Sequence, residues 1–144
     1  MKVTIKKKKN IALIAHDNKK KELIEWAKEH MEILKEHNLC GTGTTAKLIA
    51  KETGLKVHPY KSGPIGGDQQ IGAAIINGEV DFMIFFWDPL TAMPHDPDVK
   101  ALFRIGVLYD IPVAMNRATS DFLLKSSLID KEYVRTTMED DVTF

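Results

Sequence analysis

Short runs of apolar residues alternate along this chain with segments of helical spacing, and that alternation leaves few folds open. Asn10 to Ala15 (NIALIA) is short, continuous and apolar, as a strand buried on both faces must be. From Asp17 to His37, Leu23, Ile24, Ala27, Met31 and Leu34 recur at helical spacing and leave an opposite face rich in Lys and Glu. The spacing predicts a helix there, with Asp17 as its N-cap. A weak strand over Asn38 to Gly41 precedes a helix over Thr44 to Thr53, which Gly54 ends. A strand over Leu55 to Tyr60 leads to a helix over Gly67 to Asn77, ended by Gly78. Val80 to Trp87 (VDFMIFFW) is the strongest strand, apolar after Asp81. A helix over Asp98 to Tyr109 places Val99, Leu102, Phe103, Gly106 and Val107 on one side. A strand over Ile111 to Met115, a short helix over Ser120 to Ser126 and an extended tail from Lys131 complete the chain.

Strands separated by helices require right-handed crossovers. The expected fold is therefore α/β: a single doubly wound open parallel sheet of about five strands, with helices on both faces. The 144 residues fit one domain, and no repeat, low-complexity stretch or linker divides them.

Composition excludes several functions. Lys plus Arg and Asp plus Glu each total 20, so the net charge is zero and nothing general favours nucleic acid or an anionic membrane. The basic run Lys6-Lys7-Lys8-Lys9 is expected to be a solvated edge. The longest apolar run, Phe82 to Trp87, is too short to span a bilayer, and the Lys-rich start does not resemble a signal peptide. The single cysteine, Cys40, forms no internal disulfide, suits a cytoplasmic setting and is expected to be a buried thiol.

In open α/β sheets, ligands bind outside the carboxyl ends of the strands, at a topological switch point. The residues just after the strands are His16-Asp17, Gly41 to Thr45, Lys61 to Asp68, Asp88 to Asp98 and Asn116, and they hold nearly all the unusual chemistry. The opposite loops contain little of note. Gly41-Thr42-Gly43-Thr44-Thr45 and Ser62-Gly63-Pro64-Ile65-Gly66-Gly67 each lead into a helix, whose free N–H groups attract anions. Two such nests on one sheet edge suit a phosphate. Lys20, one turn into the first helix, adds a positive charge. The spacings of a P-loop and of a dinucleotide fingerprint are missing, so ATP and NAD are poorly supported.

Asp68 begins a helix, and Asp88 ends the most apolar strand, which aims its carboxylate into the crevice. Pro89, Pro94 and Pro97 stiffen the charged loop that carries His95, Asp96 and Asp98. A carboxylate can remove a proton alpha to a carbonyl, and an imidazole can polarise that carbonyl or move a proton between oxygens. A divalent metal held by Asp88, His95, Asp96 and Asp98 is the other option, although the spacing matches no defined motif.

Ala15-His16-Asp17, Thr42-Gly43-Thr44-Thr45, Ser62-Gly63-Pro64-Ile65-Gly66-Gly67-Asp68-Gln69-Gln70, Phe85-Phe86-Trp87-Asp88-Pro89-Leu90 and Pro94-His95-Asp96-Pro97-Asp98 together resemble the methylglyoxal synthase family. The resemblance runs from about Asn10 to about Leu124. It implies conversion of dihydroxyacetone phosphate to methylglyoxal and inorganic phosphate, without metal or organic cofactor. It further implies a homohexamer inhibited by phosphate. By the resemblance, Asp68 is the catalytic base; His16, Lys20, Thr42, Gly43, Thr44, Thr45, Ser62, Gly63 and His95 contact the ligand; Asp88 and Asp98 support the chemistry, with His95 expected to be kept in place by a carboxylate such as Asp98. A phosphate-sensing module of the same fold would need the Thr and Ser-Gly loops but not the joint presence of Asp68, Asp88, His95 and Asp98. A metal-dependent phosphohydrolase is the weaker rival.

Overall fold

The computed structural model describes residues 1–138. Five parallel strands form the central sheet: β2 (Asn10–Ala15), β3 (Asn38–Thr42), β4 (Val57–Tyr60), β5 (Phe82–Phe86) and β6 (Val113–Ala114). Their order across the sheet is β4-β3-β2-β5-β6. The chain thus winds outward from β2 in one direction, returns to β5 on its other side, and continues the opposite way. The switch point lies between β2 and β5, where Ala15 pairs with Phe86 and the His16 N–H donates to the Phe86 carbonyl.

Alternation along these strands splits the core into two layers, because successive side chains point to opposite faces. Ile11, Leu13, Phe82 and Ile84 face one cluster, and Ala12, Ile14, Met83 and Phe85 face the other. The first layer is closed by α1 (Lys20–Glu29), α2 (Met31–Leu34), α3 (Gly43–Thr53) and α6 (Arg117–Leu124), through Leu23, Trp26, Leu34, Ile49 and Leu124. The second is closed by α4 (Gly67–Ile76) and α5 (Asp96–Leu108), through Ile71, Ile75, Val99 and Leu102. Leu23 and Leu34 are fully buried, and each such side chain contributes roughly 1.5–3 kcal/mol. Cys40 is buried, and burial pushes its thiol up to about 12, so it is no nucleophile at neutral pH. Among the described residues no helix is long and apolar enough to cross a membrane.

Several local expectations are corrected. The long helix expected over Asp17 to His37 is a 3₁₀ turn over Asp17–Lys19 followed by α1 and α2, which part at His30. His30 leaves helical geometry where its Nε2 lies 2.8 Å from Asp121 Oδ1, the atom that also accepts from Trp26 Nε1 at 2.8 Å. A tertiary bond to α6 therefore overrides local propensity. Asp17 caps nothing: the residue before the turn is His16, the one before α1 is Lys19, and neither supplies a side-chain cap. Helix α5 starts at Asp96, two residues earlier than expected, with Pro97 in its first turn, and Val107 faces solvent. Strand β6 is shorter than expected, and α6 begins at Arg117 because Asn116 Oδ1 accepts the Thr119 N–H at 2.9 Å.

The amino ends of the strands are not featureless either. Strand β1 (Lys2–Ile5), which the sequence pattern does not announce, pairs antiparallel with β7 (Tyr133–Thr136), and β7 realises the extended tail. Residues 139–144 of that tail lie outside the described residues. Lys6 to Lys8 are exposed as expected, but Lys9 is buried, and its Nζ donates to the Lys6 and Lys131 carbonyls. A lysine can be buried when its ammonium finds such acceptors. Arg135, also buried, donates from Nη1 to the Tyr109 carbonyl at 2.6 Å.

Candidate active site

A cavity of about 250 Å³ opens at the carboxyl ends of β2, β3 and β4, beside the switch point. Its walls include His16, Asp17, Lys20, Thr42, Thr44, Thr45, Ser62, Gly63, Asp68 and His95. Of the residues expected to act together, Gly43, Asp88 and Asp98 are not on that wall.

Gly43 acts from behind. Its φ of 29° lies in the left-handed region, and a Cβ there would stand 2.8 Å from the Ser62 Cα. A hydrogen at this position lets the Thr42–Thr45 and Ser62–Gly63 loops touch, so the two nests become one. Helices α3 and α4 start at this junction without side-chain caps. Uncapped first turns leave N–H donors for an anion. Lys20 sits at the rim with Nζ 2.7 Å from Asp17 Oδ1, and this pairing holds Asp17 below the usual carboxylate range.

Asp68 and His95 stand together at the inner wall, both buried, with Asp68 Oδ2 3.8 Å from His95 Nε2. That is too long for a hydrogen bond. Among the described residues, neither Asp68 Oδ2 nor His95 Nδ1 has a partner. Burial pushes the Asp68 carboxyl above its ordinary value; His95 opposes the rise and Asp98 adds to it. A carboxylate that has lost its water is a stronger base.

The gap between this pair is backed by Gly63. A Cβ at Gly63 would lie 3.2 Å from Asp68 Oδ1 and 3.3 Å from His95 Nε2. Gly63→Ala is expected to lower kcat by about tenfold or more, because sub-ångström misplacement of reacting groups is costly. Its thermal midpoint should stay close to that of the parent. Steady-state kinetics with a melting curve checks this, and unchanged kcat would show that the pair tolerates displacement.

His16 is fixed differently. Its Nδ1 accepts the Asp88 backbone N–H at 3.0 Å, and its buried Nε2 has no partner among the described residues. Burial, then His95, lowers its proton affinity, so the ring is held neutral and offers Nε2–H to the cavity.

Two expected roles are corrected. The Asp88 carboxylate is not aimed into the crevice: Oδ1 accepts the Leu90 N–H and Oδ2 accepts Asn18 Nδ2, both at 3.0 Å. Those donors, with Thr91, hold it below the usual carboxylate range. The Asp98 carboxylate does not restrain His95, whose Nδ1 is unbonded; Asp98 meets His95 only through its own backbone N–H on the His95 carbonyl. The alternative of a metal held by Asp88, His95, Asp96 and Asp98 also fails on geometry. Among the described residues no three His, Cys, Asp or Glu gather to hold an ion, and Asp96 Oδ2 is occupied by the Met93 N–H.

Three supporting residues brace the site through roles that their spacing does not reveal. Asn18 bridges to Asp88, Asp96 ties down the proline-rich loop, and Gln70 Oε1 accepts the Lys61 N–H at 2.8 Å, bracing the Ser62 turn. Asp96 and Gln70 carry a signal, their places in the Pro-His-Asp-Pro-Asp and Gly-Gly-Asp-Gln-Gln strings; Asn18 carries none.

A doubly wound sheet with uncapped helix starts around a cavity, and a buried carboxylate–imidazole pair on its wall, defines an α/β protein equipped for acid–base chemistry on a small anion. The MGS-like domain family profile matches residues 22–115. Over 128 residues the chain is 68% identical to the methylglyoxal synthase of Clostridium acetobutylicum, covering 89% of this chain and 88% of that protein. It is 61% identical over 125 residues to the methylglyoxal synthase of Leptospira interrogans, covering 87% and 84%. The crystal structure of methylglyoxal synthase from Elizabethkingia anophelis superposes with a TM-score of 0.92 at 45% identity, covering 98% of this chain and 93% of that one. This chain belongs to the methylglyoxal synthase family.

Proposed function

We infer that the chain converts dihydroxyacetone phosphate to methylglyoxal and inorganic phosphate, as a carbon–oxygen lyase. The observation that carries this reading beyond family membership is the buried, unpartnered Asp68–His95 pair on the wall of an anion-binding cavity. Asp68 removes the C3 proton of the bound substrate, and the electron pair passes to the carbonyl oxygen as an enediolate. His95 moves a proton between the two enediolate oxygens. The negative charge on the C3 oxygen then re-forms a C=O, the double bond shifts toward C1, and the C1–O bond breaks to release phosphate. The product enol ketonises to methylglyoxal, so atoms and charge balance without an oxidant or a metal.

Phosphate leaves only if its C–O bond stands out of the enediolate plane, overlapping the π system. The Thr42–Thr45 and Ser62–Gly63 loops, with Lys20, set that torsion and stabilise the departing dianion. His16 Nε2–H supplies one further donor to a substrate oxygen. Asp88 and Asp98 act at one remove, Asp88 through its N–H on His16 and Asp98 through its charge near Asp68.

Dihydroxyacetone phosphate added to the purified chain is expected to give methylglyoxal and phosphate in equal amounts, undiminished by exhaustive chelation. Dihydroxyacetone as co-product would indicate a phosphatase, and binding of phosphate without turnover a sensing module. Family membership also supports a homohexamer inhibited by phosphate and working in the cytoplasm. Sedimentation and phosphate inhibition curves test the first two.

A further inference from the structure

Asn18 has no part in the chemistry above, yet its side chain crosses the switch point of the sheet. It sits on the exposed turn after β2, and its Nδ2 donates to Asp88 Oδ2 at 3.0 Å, with Thr91 Oγ1 at 3.3 Å. Asp88 and Thr91 belong to the loop after β5. The other oxygen of Asp88 accepts the Leu90 N–H at 3.0 Å, which folds that loop into a tight turn.

The same turn delivers the Asp88 backbone N–H to His16 Nδ1 at 3.0 Å. A backbone N–H can only donate, so Nδ1 must present its lone pair, and a neutral ring then carries its proton on Nε2. Nε2 is buried, unpartnered and on the cavity wall. The ring is wedged edge-on between Phe85, with centroids 5.2 Å apart, and His95, at 6.0 Å. Its orientation is therefore held by packing, while its tautomer depends on one N–H in a loop that is itself exposed at Pro89, Leu90 and Thr91. Exposed turns drift unless something ties them. The Asn18 amide is the tie, and it reaches across from the element that carries His16.

We propose that Asn18 is a positioning residue: by latching the Asp88–Thr91 turn to the turn that His16 opens, it fixes His16 as the Nε2–H tautomer and so fixes a hydrogen-bond donor for a substrate oxygen. This rests on the reading of the cavity as the site for dihydroxyacetone phosphate. Asn18→Asp keeps the shape, removes the donor and sets a second carboxylate against Asp88; Asn18→Gln keeps an amide donor.

The test combines kinetics with ¹⁵N NMR of the imidazole nitrogens. For wild type, the His16 Nδ1 signal is expected to be that of an unprotonated ring nitrogen and the Nε2 signal that of N–H. In Asn18→Asp the two signals should move toward an average, with KM for dihydroxyacetone phosphate raised about tenfold and kcat changed less than about threefold. That split is the mark of a contact made equally in ground and transition states. Asn18→Gln should recover both readouts in large part. Because Asn18 is exposed, the melting temperature should not move, which separates positioning from folding. An unchanged tautomer in Asn18→Asp overturns the proposal whatever KM does, and a mixed tautomer with unchanged KM overturns its link to the ligand. If wild type fails to turn over dihydroxyacetone phosphate, the substrate reading falls by itself. The ring signals and the affinity for inorganic phosphate then decide the latch.

Discussion

Asp68→Asn is expected to cut kcat by about 10³-fold while making the chain harder to unfold at neutral pH. The loss follows from removing the base and leaving its shape: the amide cannot take the C3 proton, but the cavity that holds the phosphate is unaltered. Affinity for inorganic phosphate should therefore change little. The gain in stability follows from the environment of the carboxyl group. Asp68 is buried, its Oδ2 has no partner, and burial raises its proton affinity in the folded chain. A raised folded value means that the protonated acid is favoured by folding. Stability from this group is fully present below the unfolded value and is lost as pH rises through the folded one. At neutral pH the wild-type chain thus bears the cost of a buried anion, and Asn removes it. The stability advantage of the variant should shrink as the pH falls and Asp68 takes up a proton. Denaturant unfolding of both proteins from acid to neutral pH measures this. A variant less stable than wild type at neutral pH would contradict the account of Asp68 as a strained, desolvated base.

Gly67→Ala is expected to remove both activity and stability, by about 3 kcal/mol or more for the latter. A Cβ at Gly67 would lie 1.9 Å from the Lys61 carbonyl oxygen and under 3 Å from two backbone carbons. No rotamer relieves that contact, because every atom involved is backbone. The Gly67 N–H donates to the Ser62 carbonyl at 2.9 Å, closing the turn that carries Ser62 and Gly63 into α4. Opening this turn displaces the phosphate nest and the first turn of α4, which holds Asp68. The two neighbouring substitutions therefore separate cleanly: one should leave a stable, phosphate-binding, inactive protein, and the other a weakened one. Urea midpoints together with phosphate affinity distinguish them. A Gly67→Ala chain that melts with wild type would mean that the Lys61–Gly67 turn is freer than its geometry implies.

Much of the site is legible in the sequence because its chemistry lies just after strands. The runs NIALIA and VDFMIFFW mark two central strands, and the residues after them have to meet at one edge of a parallel sheet. Thr42, Thr45, Ser62, Asp68 and His95 do meet there. The orientation of individual carboxylates is not legible. Asp88 follows the strand that should aim it at the ligand, yet it turns to Leu90 and Asn18, because a short carboxylate finds nearby donors more readily than a distant cavity. Asp98 is expected to keep His95 in place with its carboxylate, yet it meets His95 through a backbone N–H on the His95 carbonyl. Asn18 carries no sequence signal because its partners lie some 70 residues away.

The sequence by itself determined the five strands of the central sheet with helices on both its faces, and the sheet edge that carries the chemistry. It could do so because hydrophobic periodicity is local and the handedness of βαβ crossovers is fixed by backbone sterics. Only the tertiary structure decided which groups on that edge are free to act. Freedom here means a buried polar atom without a partner, and partners are assigned by side chains arriving from distant strands. Asp68 and His95 were left unbonded, while Asp88 was bound on both oxygens, and no pattern along the chain records that difference.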